Sequence, residues 1–164
     1  MPKPRPKTAR RQYGAVPFRI GADGEISVLL VTTRGTGRWI VPKGWPIAHL
    51  RPRDVAAREA YEEAGLIGDI VGKKPIGRFT YEKPRAGGQG LLCEVKLFAM
   101  HISHQLPDWP ERQQRETGWF ALEAAAALVG EGALASLLLR LPDSLRPKAT
   151  AKAALANSGA LTAY

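Results

Sequence analysis

The nine residues Arg58-Glu59-Ala60-Tyr61-Glu62-Glu63-Ala64-Gly65-Leu66 constrain this chain most, because they combine a helix pattern, three clustered charges and a stop signal. At about 100° of turn per residue, Glu59, Glu62 and Glu63 share one face of a helix. Ala57, Ala60 and Ala64 lie on the other side, and their small side chains allow close approach to a sheet. Pro52 suits the first turn of such a helix, and Gly65 suits its left-handed end. Three adjacent carboxylates repel one another. They are either a solvated acidic face or the oxygen ligands of a hard divalent cation such as Mg²⁺ or Mn²⁺.

The surroundings favour the cation. Trp39-Ile40-Val41-Pro42-Lys43-Gly44 precedes the helix, a loop follows, and then come Arg58, the acidic face, Gly65 and Leu66. This arrangement resembles the Nudix box, G-x5-E-x7-R-E-U-x-E-E-x-G-U, with U a bulky aliphatic residue. Gly44, Arg58, Glu59, Glu62, Glu63, Gly65 and Leu66 match in type and spacing. Leu50 stands where the first Glu belongs, and Ala60 where the first aliphatic residue belongs.

Charge is distributed unevenly. The chain has 164 residues and a formal charge of +9. Residues 1–11 hold five basic side chains and no acid, and residues 141–164 add +2, which leaves the body at +2. With Pro2, Pro4 and Pro6 interleaved, residues 1–11 read as a disordered basic tail able to touch RNA weakly through phosphates. Residues 12–140 read as one domain, and residues 141–164 as an Ala-rich tail without assigned structure. Within the body, Arg34, Arg38, Lys43, Arg51 and Arg53 precede the acidic helix with no acid among them. They are the candidate substrate-binding residues, because cations beside an acidic metal site suit a metal-bound polyphosphate. A second group comprises Lys73, Lys74, Arg78, Lys83 and Arg85.

The single cysteine, Cys93, excludes an intramolecular disulfide and reads as a small buried hydrophobe. No run approaches the roughly 20 apolar residues of a membrane span, so a soluble protein of the reducing cytoplasm is expected. His101 and His104 lack a third ligand for zinc. G-x-S-x-G, Walker and C-x-x-C patterns are absent from the sequence.

Strands are expected at 13–20, 26–33, 38–41, 76–81 and 91–102, with another ending at Trp119-Phe120. Pro17 places the first at a sheet edge or bulge. Helical segments are expected at 122–129 and 133–139. Trp39 reads as a packing residue at the mouth of the site. Trp45 suits either stacking on a base or shielding a metal.

The stretch Trp39-Ile-Val-Pro, together with Asp108-Trp109, Arg115-Glu116 and Trp119-Phe120, is similar to the diphosphoinositol-polyphosphate phosphohydrolase branch of the Nudix superfamily. That branch has Gly-Gly-Gly where this chain has Lys43-Gly44-Trp45. The resemblance implies an α+β fold, a three-layer α/β/α sandwich with a mixed sheet, and hydrolysis of a phosphoanhydride. It also implies that Glu59, Glu63 and the Lys43 carbonyl hold Mg²⁺ or Mn²⁺ while Glu62 accepts a proton from the attacking water. Arg58 would hold the glutamates in place, and Glu116 is a further candidate for contacting metal. The alternatives are a dinucleoside-polyphosphate or RNA 5′-pyrophosphate hydrolase, and a catalytically silent binding module.

Overall fold

The computed structural model describes residues 8–146. Its strands are β1 (Arg10–Ile20), β2 (Ile26–Thr32), β3 (Trp39–Ile40), β4 (Lys43–Gly44), β5 (Leu66–Ile70), β6 (Gly77–Lys83), β7 (Leu91–Gln105) and β8 (Thr117–Ala121). Its helices are α1 (Pro52–Ala64), α2 (Leu122–Leu128), α3 (Gly132–Leu139) and α4 (Leu141–Leu145).

All the strands join one mixed sheet with the path β3-β2-β1-β7-β5; β4 pairs with β1, β6 with β7, and β8 with β2. The long central pair, β1 with β7, is parallel; every other pairing is antiparallel. Continuous burial from Gly14 to Phe18 marks β1 as a strand covered on both faces. The β1–β2 hairpin turns where Asp23 Oδ1 accepts the Glu25 N–H at 3.0 Å, with Gly24 at φ 83°.

Helices cover both faces. Lys96 and Leu97 are consecutive on β7 and so point to opposite sides. The start of α1 shares a cavity with Lys96, whereas Leu137 of α3 packs over Gly77, the register partner of Leu97. The expected α+β class with a mixed sheet is therefore present.

Several expectations are corrected. Pro17 sits in a central strand rather than at an edge. The Ala15 N–H donates to the Pro42 carbonyl, and the nitrogen of Pro17, two residues on, faces the same side. There β4 pairing has ended and β2 pairing begins only at Phe18, so no ladder bond is lost. Two strands, β4 and β5, are not among those expected: β4 has only two residues, too few to show an alternation, and in β5 Gly68 and Asp69 interrupt the apolar pattern. The basic tail expected over residues 1–11 lies outside the described residues through Lys7, but Arg10 and Arg11 belong to β1. The C-terminal tail contains α4, whose first turn accommodates Pro142; the remainder lies outside the described residues. Cys93 is buried, as expected, and no described helix is long and apolar enough to cross a membrane.

Candidate active site

Helix α1 carries the acidic face to the sheet. It has Pro52 in its first turn, and Gly65 closes it at φ 67°, its N–H reaching the carbonyls of Ala60 and Tyr61. Its buried residues are Val55, Ala56, Ala60, Glu63 and Ala64. The alanines thus flank Glu63 on the packed side rather than opposing it, and a carboxylate enters the interior with them. The alanine side chains are short enough to leave room for it.

Glu63 is 3 % exposed, and its Oε1 lies 3.3 Å from Nη2 of Arg115, which is itself 7 % exposed at the side chain. Arg115 also pairs with Glu111 at 3.0 Å and donates from Nη1 to the Thr32 carbonyl at 3.1 Å. The loop bearing these two residues is bound to α1: the Glu111 N–H donates to the Glu62 carbonyl, and Trp109 Nε1 donates to the Glu63 carbonyl. The Trp109 ring lies directly against Gly65, where a Cβ would collide with it. Gly65 is therefore needed both for its left-handed backbone and for the close approach of the indole.

Strand β4 approaches from the other side. Glu59 lies against Gly44 so closely that a Cβ there would overlap the carboxylate. Lys43 is half-buried, and its ammonium lies near Glu63 and 5.1 Å from the centre of the Tyr81 ring. The Tyr81 hydroxyl donates to Gln12 Oε1 at 2.6 Å. These groups line a cavity of about 470 Å³, closed around by Arg34, Arg38, Trp45, Lys83 and Arg115.

The electrostatics of the cavity are those of crowded carboxylates. Burial raises Glu59 to about 7, helped by repulsion from Glu63, Glu62 and Glu111. Burial also raises Glu63 to about 7, against the opposing pull of Lys43 and Arg115. Desolvation lowers the Lys43 pKa, with Glu63 working the other way. Glu63 Oε2 is buried without a hydrogen-bond partner. Glu59 makes no ion pair with the described residues. Among the described residues, no three His, Cys, Asp or Glu side chains stand together as a complete metal cluster. Two carboxylates, one with an orphaned oxygen, nonetheless fit a hard cation that completes its shell with main-chain and substrate oxygens.

The structure brings some of the expected site residues together and separates others. Glu59, Glu63, Lys43, Arg34, Arg38 and Gly44 meet at the cavity, while Arg51 and Arg53 line a separate one. The loop after β4 carries those two arginines to the start of α1, a full helix length from Gly65. Arg58 holds Glu62 alone, Nε to Oε1 at 3.0 Å, and neither residue lines the cavity. The cation that restrains Glu63 is Arg115. Glu111 faces the cavity, whereas Glu116, the expected contributor, does not line it; its main-chain N–H donates to the Thr32 hydroxyl and its carbonyl accepts the Thr32 N–H. Trp45 lines the cavity with the Arg10 guanidinium 5.7 Å and the Lys83 ammonium 5.2 Å from its ring centre; Trp39 packs edge-on against Phe120. Leu50 is 36 % exposed and outside the cavity, so it neither faces the site nor enters the core.

Residues 10–140 match the NUDIX domain family model. The chain is 32% identical over 123 residues to Nudix hydrolase 21, chloroplastic, of Arabidopsis thaliana, covering 73% of this chain and 59% of that protein. It therefore spans about three fifths of this relative's length. Diphosphoinositol polyphosphate phosphohydrolase 3-alpha of Mus musculus is 28% identical over 122 residues, covering 73% of this chain and 69% of that one. In fold, the chain is similar to a C. elegans Ap4A hydrolase solved as a binary complex, with a TM-score of 0.64, 23% identity, and 84% and 98% of the two chains covered. With the family model spanning nearly the whole described region and the motif residues gathered around one cavity, this chain belongs to the Nudix family.

Proposed function

We propose that the chain hydrolyses a phosphoanhydride bond in a multiply phosphorylated small molecule, with Mg²⁺ or Mn²⁺ as cofactor. The observation carrying this reading is the cavity itself, where Glu59 and the orphaned Glu63 Oε2 are ringed by Arg34, Arg38, Lys43 and Lys83. Carboxylates without sufficient counter-charge call for a cation, and the surrounding basic groups call for phosphate. A diphosphoinositol polyphosphate matches that charge. A dinucleoside polyphosphate is the second reading, favoured by Trp45, whose indole at the cavity wall offers a surface for a base.

When bound, the divalent cation would polarise a phosphoryl oxygen and acidify a water molecule. Glu59 and Glu63 would hold it, with the Lys43 carbonyl as a further ligand. The Lys43 ammonium, partly desolvated at the cavity wall, would bind a phosphate oxygen directly. Arg34 and Arg38 would position the remaining phosphates from the cavity mouth. Glu62 is turned to Arg58, so Glu111 is the cavity-facing carboxylate left to accept the water's proton. Arg115, bridging Glu63 and Glu111, would keep both carboxylates oriented. Phosphoryl transfer asks mainly for such positioning and charge stabilisation.

The test is a panel of diphosphoinositol polyphosphate, dinucleoside tetraphosphate, ADP-ribose and RNA 5′-triphosphate, assayed with Mg²⁺ or Mn²⁺ and with product identification. Turnover of one class, abolished by chelation and reduced far more by Glu111→Gln than by Glu62→Gln, supports the assignment. A protein that binds metal and ligands but hydrolyses none of them is a silent binding module.

A further inference from the structure

A second cavity, of about 550 Å³, lies on the opposite side of β1 from the first. Gln12 points into the first cavity while its neighbours Arg11 and Tyr13 line the second, as strand alternation requires. The second cavity gathers Arg11, Arg51, Arg53, Lys73 and Lys96 over the aromatic rings of Tyr13 and Phe98, with no carboxylate in its lining. Asp54 pairs with Arg51 at 2.7 Å, and Glu94, on the Lys96 side of β7, leans 4.0 Å from Arg78. Arg11, Arg53, Lys73 and Lys96 make no ion pair with the described residues.

Such a group is electrostatically unfavourable without an anion, and clustering in a concave wall focuses its field. The start of α1 faces the same space; its N-cap residue, Arg51, makes no side-chain capping bond, so the positive end of the helix adds to the field. The four positions come from β1, the start of α1, the segment after β5, and β7, so their convergence is a product of the fold.

We propose that this cavity is a second anion site, binding a small molecule with several closely spaced phosphates independently of the catalytic cavity. Its dimensions suit a compact polyphosphate group, with the aromatic floor leaving room for the attached moiety. Because Arg51 and Arg53 open the helix that carries Glu59 and Glu63, occupancy would also brace that helix.

Titration calorimetry of the full chain with inorganic triphosphate, at low salt and with EDTA present, tests this. Wild type should bind at two classes of site. Lys73→Ala/Lys96→Ala should weaken one class by about ten-fold or more, and Arg34→Ala/Lys83→Ala should spare that class. Lys73→Glu, at an exposed position, provides a variant that keeps the fold and should act in the same direction. Triphosphate should raise the melting temperature of wild type more than that of the second-cavity variants. Unchanged isotherms for both second-cavity variants would overturn the proposal. So would a loss of single-stranded RNA binding with triphosphate binding intact, which would identify a nucleic-acid surface instead.

Discussion

Gly44→Ala isolates the geometry of the site from its chemistry, because it adds one methyl group and removes no functional atom. A Cβ at Gly44 would stand 2.8 Å from Glu59 Oε2 and closer still to Oε1 and Cδ. Restoring ordinary contact requires the carboxylate to retreat by roughly 1 Å, a displacement that can cost about 100-fold in rate. That corresponds to about 2.7 kcal/mol of transition-state stabilisation. The fold should tolerate the change. Gly44 is not in the left-handed region, the atoms in the way end a flexible side chain, and Glu59 is only half-buried. The expected result is a loss of about two decades in kcat/KM, with a higher Mg²⁺ requirement and a melting temperature near that of wild type. The assay is phosphate release under a Mg²⁺ titration, paired with thermal unfolding of the same preparation. Activity within two-fold of wild type at every Mg²⁺ concentration would refute the placement of Glu59 at the reacting centre. A large fall in melting temperature would show that the collision falls on the backbone instead.

Arg115→Ala should lower stability by about 3 kcal/mol at pH 8, because it strands Glu63 without its buried partner; the loss should shrink at pH 6, where Glu63 takes up a proton, and urea unfolding at the two pH values checks this. Gly65→Ala should cost about 2 kcal/mol or more, from the left-handed backbone and the displaced Trp109 ring together, measured by urea unfolding; a neutral effect would contradict the packing. Glu59 and Glu63 are both raised to about 7 from a usual 4.5, so the folded state holds more protons than the unfolded state between those values, and their contribution to stability falls as pH rises through that window. Added Mg²⁺ should therefore raise the melting temperature more at pH 8 than at pH 5.5, and a shift independent of pH would count against these ligands. Leu50→Glu should leave both the melting temperature and the Mg²⁺ requirement nearly unchanged, since residue 50 is exposed and away from the cavity; a tightened Mg²⁺ titration would show otherwise.

Local signals were enough for α1. Proline in its first turn, carboxylates at helical spacing and glycine at its left-handed end all act within a few residues, and the helix runs from Pro52 to Ala64 as those signals require. The same holds for the β1–β2 hairpin and for buried Cys93, and the motif spacing placed Glu59, Glu63, Lys43 and Gly44 in one site. Chain order was a poor guide to distance elsewhere. Arg51 and Arg53 are close to Lys43 in sequence, yet the loop after β4 delivers them to the far face of β1. Arg115 is more than fifty residues from Glu63, and tertiary contacts bring it beneath that carboxylate: Trp109 against Gly65, the Glu111 bond to α1, and its own bond to the Thr32 carbonyl. Which cation neutralises which carboxylate depends on desolvation and on distances between segments remote in the chain. Helical and strand periodicity carry no record of either. Local pattern in the chain was enough to specify helix α1 and the composition of its acidic face; that Glu63 is buried, that Glu62 turns to Arg58, and that Arg34, Arg38 and Lys43 part from Arg51 and Arg53 depends on tertiary packing.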